Sequence, residues 1–266
     1  MFTAEHCSAI LAHIRARQPL IHNITNYVVM NNTANALLAI GASPAMVHAI
    51  EEVEEFVALS QALVINLGTL SKPWIKSMRI AADTASGRGI PWVLDPVGAG
   101  ATELRTDTAA DLAFFHPACI RGNASEIMVL AGATAEKTRG VDSTRASSDA
   151  IEAARRLAKS TCSIVAVTGA IDYITDGEQL IALANGHPLM ARVTGLGCTA
   201  TALIGAALAV EKDRLAAVAA GLSFLAIAGE IAAEQSPGPG SLQVHLLDAL
   251  HQLDTATIQR RLKIVA

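Results

Sequence analysis

Polar residues sit at the ends of several short apolar runs, and those positions decide what chemistry this chain can do. Ala62-Leu-Val-Ile-Asn66 ends in Leu67-Gly68-Thr69, and Trp92-Val-Leu-Asp95 ends in Pro96-Val97-Gly98. Ile120 leads into Arg121-Gly122-Asn123-Ala124-Ser125-Glu126, and Ile164-Val-Ala-Val-Thr168 leads into Gly169. In an open parallel sheet, ligands bind beyond the carboxyl ends of the strands. One edge of such a sheet would gather Asn66, Asp95, Arg121, Asn123, Glu126 and Thr168. Two carboxylates suit Mg²⁺, held directly or through water, and a guanidinium suits phosphate oxygens. Each residue also has a plainer use. Asp95 before Pro96 can cap a turn, Asn123 and Glu126 have the spacing of a capping box, and Arg121 can neutralise a carboxylate. Their shared placement is what favours a metal–phosphate site.

The strongest local signal is Val193-Thr-Gly195-Leu196-Gly197-Cys198-Thr-Ala200, which opens a long Ala-rich helix. Glycines let the backbone approach a ligand, and a helix start presents free N–H groups with partial positive charge, so Gly197 and Cys198 form an anion hole. The stretch also fits G-x-G-x-x-A of dinucleotide folds, but it sits late in the chain and leads into consecutive helices. No G-x-x-x-x-G-K-[ST] occurs, so the phosphate cradle is not a P-loop. Cys198 lies at the helix mouth, where a thiol's pKa is lowered; its plainer reading is a small buried hydrophobe. The eight histidines have no metal-ligand spacing, and His22 receives no catalytic task. Met46 reads as core filler from its neighbours alone.

The elements that must position these residues alternate short β-rich runs with amphipathic stretches. Strands are expected at 20–24, 62–66, 92–95, 118–121 and 164–168, and helices near 31–40, 71–85, 107–115, 125–131 and 147–159. Short strands apolar on both faces, separated by helices, indicate an α/β fold with a mostly parallel sheet covered on both sides. Residues 172–175 and 179–183 flank Asp176-Gly177, a hairpin signal. The last third is expected to be helical from Cys198 to about Leu253, broken at Ser236-Pro-Gly-Pro-Gly240. No linker or repeat divides the 266 residues, so one domain spanning 1–266 is expected.

Composition narrows the function classes. Hydrophobic residues make up 52% and charged residues only 17%, below the roughly 25% of an average domain, which implies wide buried faces. A net charge of −4 and 3% aromatics argue against nucleic acid as a partner. The N-terminus has no signal-peptide pattern. The greasiest stretch, 215–233, carries Glu230 and reads as a helix buried in protein rather than in a membrane. Cys7, Cys119, Cys162 and Cys198 form no C-x-x-C pair, which fits a reducing cytoplasm, most of them as buried hydrophobes.

A wider set of motifs resembles the hydroxyethylthiazole kinase family. It comprises His22-Asn-Ile-Thr-Asn-Tyr-Val-Val29, Gly41-Ala-Ser-Pro-Ala-Met46, Asn66-Leu-Gly-Thr-Leu70 and Leu94-Asp-Pro-Val-Gly-Ala-Gly100. It continues with Ile120-Arg-Gly-Asn-Ala-Ser-Glu126, Arg139-Gly-Val-Asp142, Val193-Thr-Gly-Leu-Gly-Cys198 and Gly238-Pro-Gly-Ser241. The Asn-x-x-Glu element is shared across ribokinase-like kinases. The resemblance implies a ribokinase-like fold and a homotrimer with active sites between subunits. It also implies ATP- and Mg²⁺-dependent phosphorylation of 5-(2-hydroxyethyl)-4-methylthiazole in thiamine salvage. By the same resemblance Asn26, Met46 and Gly195 contact the thiazole alcohol, Arg121 and Thr168 contact ATP, and Asp95 and Glu126 organise the metal. Cys198 stands where most ribokinase-like enzymes carry an aspartate base, and Leu196 is bulkier than the residue often found there. A kinase for another small alcohol such as hydroxymethylpyrimidine, a nucleotide-dependent dehydratase and a silent metabolite sensor are the alternative readings.

Overall fold

The computed structural model describes residues 1–132 and 143–265, and the Arg139–Asp142 motif lies outside them. The chain opens with α1 (Ala4–Arg17), β1 (Leu20–Ile24), α2 (Met30–Ile40), β2 (Ser43–Met46), α3 (Val53–Leu59) and β3 (Ala62–Asn66). It continues with α4 (Lys72–Arg88), β4 (Trp92–Asp95), α5 (Glu103–Ala113), β5 (Cys119–Asn123), α6 (Ala124–Leu130), α7 (Ser143–Thr161) and β6 (Ile164–Thr168). The antiparallel strands β7 (Asp172–Thr175) and β8 (Leu180–Leu183) follow. After a 3-10 turn at Pro188–Arg192 come α8 (Leu196–Leu208), α9 (Arg214–Glu234), α10 (Pro239–Gln252) and α11 (Thr255–Arg261).

All eight strands form one sheet in the order β2-β1-β3-β4-β5-β6-β7-β8. Six are parallel and the last two close it as an antiparallel hairpin. Side chains alternate between faces along each strand. Val64, Val93 and Ala166 join the apolar cluster built with α1, α2, α8, α9 and α10. Their neighbours Leu63, Ile65, Leu94, Val165 and Val167 join the opposite cluster with α4, α5 and α7. Burial on both faces is why these strands are continuous apolar runs.

Among the elements not expected from the sequence are α1, β2 and α3. The stripe Cys7, Ile10, Leu11 and Ile14 on α1 has helical spacing and is buried. Strand β2 contains Pro44, which a sheet tolerates here because β2 is an edge. Helix α3 is only seven residues long. The helical last third has the expected break, at 235–238 between α9 and α10, and a second one that was not expected. Asp213 caps the start of α9 and separates it from α8, while Pro239 and Gly240 lie inside α10, Pro239 in its first turn, where its missing N–H costs nothing.

Helix α9 is the one described helix long and apolar enough to cross a membrane, but it is the interior helix of this fold, with 83% of that window buried. Its Glu230 accepts from Asn185 Nδ2 at 3.1 Å, Gly186 N at 3.1 Å and Lys263 Nζ at 2.8 Å. The segment after α11 pairs back on β8, with Ala184 N to Lys263 O at 3.0 Å and Val265 N to Ala182 O at 2.9 Å. Lys263 N also donates to Asn185 Oδ1 at 2.7 Å.

Helices α8 and α9 touch backbone to backbone. A Cβ on Gly221 would lie 2.6 Å from Ile204 Cα and 2.7 Å from Ile204 N. Alanine in a helix interior gains about 1 kcal/mol over glycine, whereas forced overpacking costs about 1–3 kcal/mol. A main chain cannot rotate away as a side chain can, so the cost prevails. Gly221→Ala is expected to lower the urea midpoint at an unchanged m-value, with a net loss of stability of up to ~2 kcal/mol; a raised midpoint would mean that the helix pair has slack.

Candidate active site

The centre of the carboxyl edge is Asp95, at the end of β4 and fully buried. Its side chain does not cap the Pro96 turn. Oδ2 accepts from Asn66 Nδ2 at 2.8 Å and from Thr201 Oγ1 at 2.7 Å, and Arg121 Nη1 stands 3.8 Å away. Oδ1 is buried with no partner. Burial pushes the Asp95 carboxyl up from the usual range and Glu126 adds to the rise, while Arg121, Thr201 and Asn66 oppose it. The network runs outward from there. Asn66 Oδ1 accepts from Asn26 Nδ2 at 2.8 Å, and Arg121 Nη2 donates to Thr168 Oγ1 at 2.5 Å.

The glycine loop closes over this row. Gly195 takes a left-handed φ of 82° as the N-cap of α8, a conformation that favours glycine. The first backbone bond of the helix runs from Thr199 N to Gly195 O at 2.9 Å, so the amides of Leu196, Gly197 and Cys198 precede the ladder. A Cβ on Gly197 would stand 2.7 Å from Arg121 Nη1, so a larger residue there would push the guanidinium from its place against the loop. Leu196, despite its bulk, is accommodated in the apolar cluster beneath the loop.

Cys198 departs from the sequence-based expectation. Its Sγ faces Asn26 Nδ2 at 3.6 Å, and its pKa is pushed up to about 11 rather than lowered. Burial and the nearby Asp95 raise it, outweighing Asn66, Asn26 and Arg121. At neutral pH it is a thiol. Of the other cysteines, Cys7 and Cys119 are buried, but Cys162 is exposed.

Glu126 fulfils the plainer reading and more. It completes a capping box with Asn123, whose N–H it accepts through Oε2 at 2.9 Å, and Oε1 accepts from Gly98 N at 2.9 Å. It thereby ties the loop after β4 to the start of α6. Arg105 of α5 was not anticipated. Its guanidinium donates to the carbonyls of Leu67, Val97 at 2.8 Å and Gly68 at 2.8 Å, clamping the loops that follow β3 and β4. Thr201 was also missed, because a hydroxyl inside an Ala-rich helix gives no pattern.

Beside this network opens a cavity of about 720 Å³. Arg121, Asn123, Thr168 and Asp172 line its polar end, and Met190, Leu222, Leu225 and Ala226 are among its apolar walls. Gly195, Leu196 and Gly197 border it, so the loop separates the cavity from the Asn26–Cys198 side. Asp172 and the wall formed by residues 185–191 carry no motif and were not expected from sequence. Met46 stands apart, half-buried at the end of edge strand β2, level with Asn23 of β1. His22 is buried, and its Nε2 pairs with the Val47 carbonyl at 2.7 Å. Burial pushes its pKa down to about 4, which makes it a neutral structural residue.

The fold that carries this site is also found in known proteins. A solved hydroxyethylthiazole kinase from Pyrococcus horikoshii OT3 superposes with a TM-score of 0.91 at 42% identity, covering 98% of both chains. A ribokinase-like superfamily protein from Enterococcus faecalis V583 shares the fold alone, with a TM-score of 0.67 at 11% identity over 96% of each chain. In sequence, the hydroxyethylthiazole kinase of Syntrophus aciditrophicus is 56% identical over 265 residues, 99% of this chain and 98% of that protein. The model of the hydroxyethylthiazole kinase family matches residues 11–256, and the chain belongs to that family.

Proposed function

We propose that the row from Asn26 to Thr168 and the adjoining cavity form one kinase site. It transfers the γ-phosphoryl group of ATP to the hydroxyl of 5-(2-hydroxyethyl)-4-methylthiazole, as part of thiamine salvage in the cytoplasm. The observation that carries this reading is Asp95, held fully buried beside the free amides that begin α8 and the Arg121 guanidinium. Acid, anion hole and guanidinium at one point are what a transferring phosphoryl group requires. ATP occupies the cavity, with its phosphates over Arg121 and Thr168 and its base against the apolar wall. Asn26 and Gly195 hold the alcohol on the other side of the loop.

The residues fit a divalent cation. Asp95 Oδ1 is buried without a partner, and Glu126 sets a second negative charge near it. No cluster of three or more His, Cys, Asp or Glu ligands occurs among the described residues. Mg²⁺ would therefore draw its remaining ligands from phosphates and water, as is usual for that ion. When bound it neutralises charge on the phosphate oxygens. A single coupled assay tests the reaction: ADP release should require the thiazole alcohol and Mg²⁺, with a phosphorylated alcohol as product. Turnover only with another alcohol, or release of inorganic phosphate, would overturn it.

Cys198 acts here by position, through its amide and its thiol packed against Asn26. General bases contribute about 10²–10⁴-fold. A thiol whose pKa is raised to about 11 cannot act as one at neutral pH, and loose phosphoryl-transfer transition states ask little of a base. Cys198→Ser should lower turnover by less than about tenfold, below the general-base range. The pH profiles of the two proteins should run parallel from pH 6 to 9, because the thiol does not titrate there. A loss beyond about a hundredfold would restore Cys198 as the base.

Met46 gains a role if a second copy covers β2. All four β2 residues are half-buried, and Tyr27, Val28, Leu38 on α2 and Val244 on α10 are exposed apolar side chains on neighbouring elements. A homotrimer that buries them would place Met46 against a substrate shared between subunits. Sedimentation should give three copies; a fully active monomer would remove both the interface and the Met46 contact.

A further inference from the structure

The cavity contains one carboxylate among its lining residues, Asp172, and neither the site network nor the family resemblance gives it a task. It begins β7, an antiparallel strand that pairs with β6 through Val167 and Tyr173. Continuing that register sets Asp172 beside Thr168. One carboxylate oxygen, Oδ1, accepts from Gly169 N at 3.0 Å and holds the turn between the two strands. The other oxygen takes no hydrogen bond among those of the described residues.

The place of Asp172 in the sheet matters. The carboxyl edge reads Asp95 on β4, Arg121 on β5, Thr168 on β6 and Asp172 on β7, each one strand further along. Strands are ~4.8 Å apart, so Asp172 is roughly 10 Å from the strand of Arg121. The apolar wall of Pro188, Met190, Leu225 and Ala226 borders the same cavity. A group lying over Asp172 is therefore two strands from the phosphate end, in a cavity that also offers apolar wall to a base.

A carboxylate repels a polyphosphate and must meet a donor instead. Burial pushes the Asp172 pKa up to about 6, with the Gly169 amide and Arg121 opposing, so at neutral pH the group is ionised and only accepts. At about that distance from its phosphates a nucleoside triphosphate offers the hydroxyls of its sugar. Resting on the reading of this cavity as the nucleotide site, we propose that Asp172 accepts a hydrogen bond from a ribose hydroxyl and thereby selects ribonucleotides over deoxyribonucleotides.

The test compares ATP with 2′-deoxy-ATP and 3′-deoxy-ATP in the intact enzyme, together with the KM for the alcohol. One hydrogen bond to a charged acceptor should make kcat/KM for ATP roughly tenfold or more above that for one of the deoxy analogues. Asp172→Ala should bring that ratio to within about twofold of unity, removing the ~tenfold preference and leaving the KM for the alcohol unchanged. Asp172→Asn, which keeps an acceptor for Gly169, should give an intermediate ratio. A purely structural role would weaken all three nucleotides equally. A wild-type enzyme indifferent to both analogues, or variants that retain its ratio, would overturn the proposal. Ala226→Phe separates this from the underlying reading: a raised KM for ATP keeps the nucleotide in the cavity, and an unchanged one removes both assignments.

Discussion

The site depends on keeping an acid inside the protein. A buried carboxylate without donors is costly by several kcal/mol, so its surroundings must be built for it. Asp95 accepts hydrogen bonds from Asn66 of β3 and Thr201 of α8, and the Arg121 guanidinium of β5 pairs with it at 3.8 Å. Those three partners fix where two strands and one helix stand relative to β4. Asn66 is committed in turn to Asn26 and Arg121 to Thr168, so hydrogen bonds and one ion pair connect the row across the sheet edge.

The same burial decides the state of Cys198. A helix start favours a negative charge by only ~0.3–1 kcal/mol when exposed, and less once other charges stand close. Here desolvation comes first and the Asp95 carboxylate adds to it, so the thiol is held in its neutral form. The helix end is thus left to act on a ligand's charge rather than on the protein's own.

The strands that carry the site were legible because both faces of the sheet are buried, which writes the strand as an unbroken apolar run ended by a polar residue. Four of them, at 20–24, 62–66, 92–95 and 164–168, begin and end where the pattern does. The loop glycines were legible as well, since close approach to Arg121 and a left-handed N-cap leave little choice of residue. What stayed hidden is set by tertiary contact. Thr201 is one hydroxyl in an apolar helix, and Arg105 is one of many surface-type arginines until three carbonyls are seen around it. Met46 acquired a site role only through the family motifs, and the structure brings Arg121 but not Met46 to the buried acid.

The pairing of the segment after α11 with β8 has a consequence for how the molecule is made. Asn185, next to the wall residues His187–Ala191, is held by Arg261 O at 2.8 Å and by Lys263 N, which lie 76 and 78 residues downstream. During synthesis the strands through β8 are made before those partners, and before α8, α9 and α10, which cover one face of the sheet. That side of the cavity is then an unanchored loop beside open apolar surface, so the nascent chain has its strands but not its finished compartment. Completion of the cavity is a late event in folding, timed by translation of the last helices.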